Sequence, residues 1–440
     1  MKAAADYLAI ATHVVFATPD FYGRLLGKKR RAGEWSSAAS NGVAMPDFYL
    51  ICDPAGRPLP GFDVAGAHAG FRNGLLRPDP GAAFELPTEP GVTHVICDGL
   101  TSSGDMVREA PRSLLRGQLA RLAERGIAAR VASELEFYLI EQTYREAHTL
   151  HYANLRPSYH RAGDNEVIVG SLFAPFADMV ERALEACGIV VDQIQAEGGA
   201  GQFEVNVAPA APLTAADEHI VFKHVVKACA HQFGRAATFM AKPFEHDAGS
   251  GGHVHLSLSK DGSNLLGEGR RLSAFGAGFV AGILHHMPEL TLMFAPYANS
   301  YKRLVPLSYT PLAATWAWDN RTAMVRLLAG RDGPRIELRM PGADINPYHS
   351  YAAMLAAGLA GVDAELPLPP EKQGDTDPPG ADPLPADLTE ATRRFAGSET
   401  AIAAFGNACH GHILNHARQE LAATRRVVTE WEIARGFEHA

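Results

Sequence analysis

The stretch Gln195-Ala-Glu-Gly-Gly-Ala-Gly-Gln-Phe-Glu-Val-Asn-Val207 constrains the fold more than any other part of the chain. Its Gly198-Gly199-Ala200-Gly201 centre is a turn, because glycine reaches backbone conformations closed to other residues. Phe203–Val207 then alternates apolar and polar residues, the period of a strand with one buried face. Side chains two apart on a strand share a face, so Glu204 and Asn206 point the same way. Glu197 stands across the turn. Three further stretches use the same device. Ser133-Glu134-Leu135-Glu136-Phe137 sets two carboxylates on one face. His253-Val254-His255 sets two imidazoles, and Glu337-Leu338-Arg339 a carboxylate and a guanidinium. Phe137, Phe203, Val254 and Ile336 claim the opposite faces. Four such strands, each offering a polar pair from an apolar frame, predict one shared polar cavity.

A chain of 440 residues is long enough for two or three domains and a large core. It is 47% hydrophobic and 20% charged, an ordinary soluble composition. A formal charge of −9 disfavours nucleic acid, which calls for a basic face. Cys52, Cys97, Cys187, Cys229 and Cys409 are scattered, odd in number and without a C-x-x-C pair. That pattern predicts buried thiols in a reducing compartment rather than a disulfide framework. No apolar run is long enough to span a bilayer, and Met1–Tyr7 lacks the apolar region of a signal peptide. The expectation is a cytoplasmic protein.

Residues 1–103 read as a small α+β unit. Val14–Ala17, Asp47–Cys52 and Thr93–Cys97 are strand-like, with turns at Asp53–Gly56 and Arg77–Pro80 between them. Residues 104–440 form the second unit. Pro111 opens a helix to about Glu124, with Leu114, Leu115, Leu119 and Leu122 at helical spacing. A strand over Glu134–Ile140 follows, then a helix over 174–187, strands within 188–207, a long helix over 214–238 and a strand over 252–258. Ala352–Ala360 is a close-packed helix, Leu366–Pro385 an exposed loop, and 388–436 helical.

Glu134, Glu136, Glu197, Glu204, His253 and Glu337 are the candidate metal ligands. Five carboxylates and one imidazole without a thiolate suit a hard divalent cation such as Mg²⁺ or Mn²⁺. So many acids in one cavity would repel unless a cation neutralised them. A lone glutamate on a half-exposed strand is more often a surface residue, but the apolar opposite faces weaken that reading for the group. Arg303, Arg321, Arg326, Arg335 and Arg339 form a basic set, most of it among apolar residues. Guanidinium groups beside metals are what phosphoryl transfer needs. The sequence has no GxxxxGK[ST] loop and no GxGxxG unit, so a nucleotide would be held by metals and arginines. His285-His286 reads as an ordinary helix pair, and Cys409-His-Gly-His412 is set aside as a metal site.

Taken together, these residues resemble the glutamine synthetase family. The resemblance is carried, in order, by Glu134-Leu-Glu136, Glu197…Gly201-Gln-Phe-Glu204, Lys242-Pro243, Gly249-Ser-Gly-Gly-His-Val-His255, Asn299–Pro306, Asp319-Asn-Arg321, Arg335-Ile-Glu-Leu-Arg339 and Asn346-Pro-Tyr348. It implies an α+β protein with a β-grasp-like N-terminal domain and a larger catalytic domain built on a curved antiparallel sheet flanked by helices. It also implies a homo-oligomer, commonly a dodecamer of two stacked hexameric rings. ATP and two or three Mg²⁺ or Mn²⁺ ions are the implied cofactors. One metal would be held by Glu136, Glu197 and Glu204, the other by Glu134, His253 and Glu337. His255 and Arg326 would face the ATP phosphates and Arg335 the nucleotide. Arg303 would face the glutamate carboxylate, with Gly249 and Tyr309 also binding substrate, and Arg321 and Arg339 the transferring phosphoryl group. Phosphorylating the γ-carboxylate of glutamate makes a γ-glutamyl phosphate that an amine can attack.

The departures bear on the amine. Ammonium-using members follow Arg-Leu-Val-Pro-Gly-Tyr with a flap glutamate, whereas this chain reads Arg303-Leu-Val-Pro-Leu-Ser-Tyr309. Their N-terminal Asp-Gly-Ser-Ser is missing near Asn41–Asp47, and Ala248 replaces an asparagine. An acceptor site without those anions loses its preference for a small cation and gains room for a substituent. The resemblance is therefore closer to the γ-glutamylamide and γ-glutamylpolyamine synthetase branch. Glutamine synthesis from ammonium is the alternative. A catalytically silent member is disfavoured by the complete ligand set.

Overall fold

The computed structural model describes residues 4–306 and 308–439. Its first sheet contains β1 (His13–Pro19), β2 (Leu25–Arg31), β3 (Val43–Pro46), β4 (Asn73–Glu85) and β5 (Val92–Leu100), in the order β2-β1-β5-β4-β3. β1 and β5 are parallel and the other pairs antiparallel. Two predicted features differ here. Asp47–Leu50 is a 3₁₀ turn, not a strand, and Tyr49, Leu50 and Ile51 pack with Phe62 and Val107 in a small cluster of their own. A short apolar run fits either structure, and Pro46 just before it ends β3. The Arg77–Pro80 segment, read as a turn, lies inside β4. There the register with β5 shifts between Pro78 and Ala83, and the prolines fall where the ladder is broken.

That irregularity aims Asp79 at the second half of the chain. Arg112, almost wholly buried, donates to Asp79 (3.0 Å), Asp98 (2.6 Å) and Asp217 (2.7 and 3.0 Å). Arg112 belongs to the Pro111–Glu124 helix, which starts on proline and buries Leu114, Leu115, Gln118 and Leu122. It stops where Gly126 turns left-handed at φ 67°.

The large sheet contains β6 (Ala128–Ile140), β7 (Val191–Ala196), β8 (Gln202–Val207), β9 (Ala236–Thr238), β10 (Gly252–Lys260), β11 (Ser263–Asn264), β14 (Trp316–Trp318), β15 (Val325–Gly330) and β16 (Gly333–Leu338). β12 (Gly267–Glu268) and β13 (Arg271–Leu272) pair separately. The main path is β14-β15-β16-β10-β6-β8-β7, antiparallel throughout except β14 with β15. Leu135, Phe137, Phe203, Val205, Val254, Leu256, Ile336 and Leu338 project from one face into the core. Each contributes roughly 1.5–3 kcal/mol by leaving water. The Pro212–Gln232 and Pro347–Asp363 helices pack in the same core. The predicted helix over 214–238 ends earlier, at Gln232, because Gly234 reverses the chain at φ 71° and residues 236–238 join β6 as β9.

The 366–385 loop has no regular structure, as predicted, but it is pinned to β14. Trp316 Nε1 donates to Pro369 O at 2.8 Å, and buried Lys372 pairs with Asp377 at 2.6 Å. All five cysteines are free and buried. No described helix is long and apolar enough to cross a membrane.

Candidate active site

Register across the large sheet builds a single row of polar groups. Glu204 lies opposite Glu136, Glu134 opposite His253, His255 opposite Glu337, and Glu337 opposite Arg326. Directly opposed residues in an antiparallel pair share a face. Six strands therefore present this row to one side, with Gln195 of β7 opposite Glu204 at its end. A one-residue slip of any pairing would turn that strand's contribution into the core.

Glu134 is hydrogen-bonded to His255 Nε2 at 2.8 Å and His253 Nδ1 at 3.2 Å. His253 Nδ1 is also 3.7 Å from Glu337. Arg326 Nη1 donates to Glu337 at 3.0 Å, and Arg339 Nη1 donates to its other oxygen. At the far end, Gln202 Nε2 and Gly251 N donate to Glu136 Oε2 at 3.0 and 2.8 Å. Gln195 Nε2 bridges Glu197 (2.7 Å) and Glu204 (3.3 Å). Gly251 admits this crowding, since a Cβ there would stand 2.7 Å from both Glu136 Oε1 and His253 Nε2.

The two ends differ in charge balance. Burial, joined by the charges of Glu134, Glu136 and Glu197, pushes Glu204 up to about 9. Burial and then Glu197 push Glu136 up to about 7, and burial raises Glu197 as well. At the other end burial also opposes the charged forms, but partners outweigh it. Hydrogen bonds from His253 and His255 hold Glu134 well below the usual carboxylate range. The charges of His253 and Arg339 hold Glu337 low. Burial, with Arg339 adding, lowers His253 to about 4, which keeps an imidazole free to act as a ligand.

This donor set fits divalent cations. It offers carboxylate oxygens and imidazole nitrogens without thiolate, and its acids are too crowded to ionise together unaided. Ligand atoms of Glu134, His255 and Glu337 lie within 4.8 Å of one another. His255 thus stands in that group, where His253 was the predicted imidazole, and His253 lies beside it on Glu134.

Arg303 is buried, and its Nη atoms donate to Met340 O and Arg339 O at 2.9 and 3.1 Å. It runs against Gly249, where a Cβ would meet Arg303 Cγ at 2.6 Å. Arg335 Nε is 3.4 Å from His255 Nδ1. Arg321 differs from the expectation of apolar surroundings. Its side chain is exposed, and its carbonyl accepts from Arg339 Nε at 2.9 Å. Tyr309, at φ 57° and 70% exposed, is not drawn into the row, and neighbouring Leu307 lies outside the described residues. Gln195 and Gln202 hydrogen-bond the candidate ligands and were not among the predicted site residues. Each lies two residues before a candidate ligand, and Gln195 shares a strand face with Glu197. Of the set-aside histidines, His286 pairs with Glu289 at 2.8 Å and His410 with Phe395 O.

The glutamine synthetase catalytic-domain family matches residues 108–436. The chain belongs to the glutamine synthetase family. It is 35% identical over 427 residues to γ-glutamylethanolamide synthetase GlnA4 of Streptomyces coelicolor, covering 97% of this chain and 92% of that one. It is 31% identical over 408 residues to a glutamate–isopropylamine ligase of a Pseudomonas species, covering 91% and 89%. In structure it is similar to a GmaS/ADP complex, with a TM-score of 0.86, 29% identity and 99% of each chain covered. The fold is therefore the glutamine synthetase fold, and the acid row occupies the open face of its large sheet.

Proposed function

We propose that the chain joins the γ-carboxylate of glutamate to a primary organic amine, using ATP and passing through a γ-glutamyl phosphate. The observation that carries this reading is Tyr309, on the exposed loop that follows buried Arg303, at the position where the family resemblance implies a glutamate in ammonium-using members. Tyrosine supplies no carboxylate to attract ammonium or to take its proton. Its ring can stack on, or its hydroxyl hydrogen-bond to, a larger amine. The ethanolamide synthetase and the isopropylamine ligase, each named for an organic amine, support the reading.

In this proposal Glu136, Glu197 and Glu204 hold one divalent cation, and Glu134, His253 and Glu337 hold another. Bound there, the cations would spread the charge of a polyphosphate brought against a carboxylate. His255, Arg326 and Arg335 bind the nucleotide. Arg303 uses two of its five donors on backbone carbonyls and keeps the others for the glutamate carboxylate beside Gly249. Arg339 and Arg321 face the transferring phosphoryl group.

The unit of residues 1–103 serves as an N-terminal domain completing a neighbour's site, and 104–440 as the catalytic domain of a cytoplasmic dodecamer. Assembly is supported by the exposed apolar side chains near the C-terminal end, including Trp431 (68% exposed) and Phe437 (84%), which a monomer would leave in water. Phosphate release with ATP, glutamate and a panel of ammonium, ethanolamine and isopropylamine tests the proposal. Release with ammonium alone would replace it with glutamine synthesis.

A further inference from the structure

Glu197 and Glu204 flank the 198–201 turn, and Arg303 closes the Ala298–Arg303 turn. A continuous set of hydrogen bonds joins these two turns through residues outside the acid row. Asp247 Oδ2 accepts from Ala200 N at 2.9 Å, in the middle of the first turn, and Oδ1 accepts from Ala248 N at 2.9 Å. Lys242 Nζ donates to the carbonyl oxygen of Asp247. Asn299 then clasps the backbone of Lys242. Lys242 N donates to Asn299 Oδ1 at 3.0 Å, and Asn299 Nδ2 donates to Lys242 O at 2.9 Å. Asn299 lies in the same 3₁₀ turn as Arg303.

The arrangement does more than close a loop. Glycine at 198, 199 and 201 leaves the first turn little stiffness of its own. A carboxylate that accepts from two backbone N–H groups, one on each segment, supplies it, because charged acceptors make the stronger hydrogen bonds. Tyr138 backs the same place: its hydroxyl donates to Ala248 O at 2.8 Å and leaves no room for a side chain at Gly199. Gln202 adds a second tie, accepting from Gly199 N at 2.8 Å and donating to Gly249 O at 3.0 Å. Gly249 in turn abuts the Arg303 side chain. A shift of the first turn therefore reaches Arg303 along packed and hydrogen-bonded neighbours.

We propose that Asp247 is a positioning residue that makes two binding events cooperative: a divalent cation at Glu136, Glu197 and Glu204, and glutamate at Arg303. Asp247 is a ligand of neither. It acts through Ala200 on one side and through Lys242 and Asn299 on the other. A cation drawing Glu197 and Glu204 together orders the turn between them, and the Asp247 bonds carry that order to the wall beside Arg303. Linkage is reciprocal, so glutamate held at Arg303 tightens the cation. The glutamate half rests on the function proposed above, whereas the ordering of residues 247–249 rests only on the acid row holding a cation.

Isothermal titration of Mn²⁺ into the full chain, with and without saturating L-glutamate, reads the coupling as a ratio of dissociation constants. The expected ratio is about tenfold in wild type and about threefold or less in Asp247→Ala and in Lys242→Met. Asp247→Asn, which keeps one acceptor oxygen, should stand between them. Hydrogen exchange gives a readout that needs neither glutamate nor turnover. Mn²⁺ alone should slow exchange of a peptide spanning residues 247–249 in wild type and much less in Asp247→Ala. A purely structural staple would lower Mn²⁺ affinity equally with and without glutamate, leaving the ratio unchanged. That result in both variants, a wild-type ratio within about twofold of one, or equal slowing of exchange in wild type and Asp247→Ala would overturn the inference. Failure of glutamate to bind at all would overturn the proposed function with it, whereas binding of both ligands without coupling would overturn this inference alone.

Discussion

Replacing Glu204 by glutamine should stabilise the metal-free protein while abolishing its chemistry. Glu204 is buried, and its carboxyl is raised from 4.5 to about 9 by burial and by Glu134, Glu136 and Glu197. A raised folded value means that the group's stability contribution is full below 4.5 and is lost as pH rises toward 9. At pH 7.5 the unfolded carboxylate is ionised while the folded group must keep a proton. The difference of about three pH units corresponds to about 4 kcal/mol of lost stability, as an upper value. Glutamine keeps the shape without the charge and removes that loss. With an unfolding entropy of about 2.1 cal/mol/K per residue over this length, the gain is about 4 °C in Tm. Differential scanning calorimetry in chelator, from pH 5 to pH 8, should show Glu204→Gln melting higher at pH 7.5 and the gap closing toward pH 5. Added Mg²⁺ should raise the wild-type Tm, raise the variant's much less, and restore phosphate release only in the wild type. A variant that melts lower than wild type in chelator at pH 7.5, or a gap independent of pH, would refute the account of the acid row.

Arg112→Gln leaves buried Asp217 without a cation, while Asp79 and Asp98 keep Arg116, and should cost about 3–5 kcal/mol in urea unfolding. Asp217→Asn in the same chain should recover part of that loss. His349 and His416 are lowered by burial to about 3, so both fold neutral, and their contribution is complete above 6.5 and lost as pH falls toward 3. Together they should cost about 3 kcal/mol between pH 7.5 and 5.5, read as a falling urea midpoint that is shallower in His416→Gln. Tyr309→Glu should raise kcat/KM for ammonium relative to organic amines in the phosphate-release assay, since it places an anion on the loop proposed to receive the amine.

Much of the site was legible because strand periodicity is local. Glu134 with Glu136, and His253 with His255, declare a shared face from spacing alone, and the observed registers place those faces side by side. What joins distant segments was less visible. The sequence set Gln195 beside Glu197, but only the β7–β8 pairing shows it reaching Glu204 as well. Arg112 drew no reading from the sequence, because its three aspartates come from β4, β5 and a helix a hundred residues away. Pro78 and Pro80 suggested a turn because proline breaks a ladder locally. A long strand can absorb the break when its flanks still pair, as β4 does. The end of the 212–232 helix was obscured because Ala236–Thr238 continues the apolar pattern past Gly234.

The most direct test of the central claim is kcat/KM for phosphate release with ammonium and with primary amines such as ethanolamine and isopropylamine, at saturating ATP and glutamate. A chain with Tyr309 in place of a flap glutamate should favour at least one organic amine over ammonium by more than tenfold, a difference of about 1.4 kcal/mol in the transition state. Equal or greater efficiency with ammonium would contradict it.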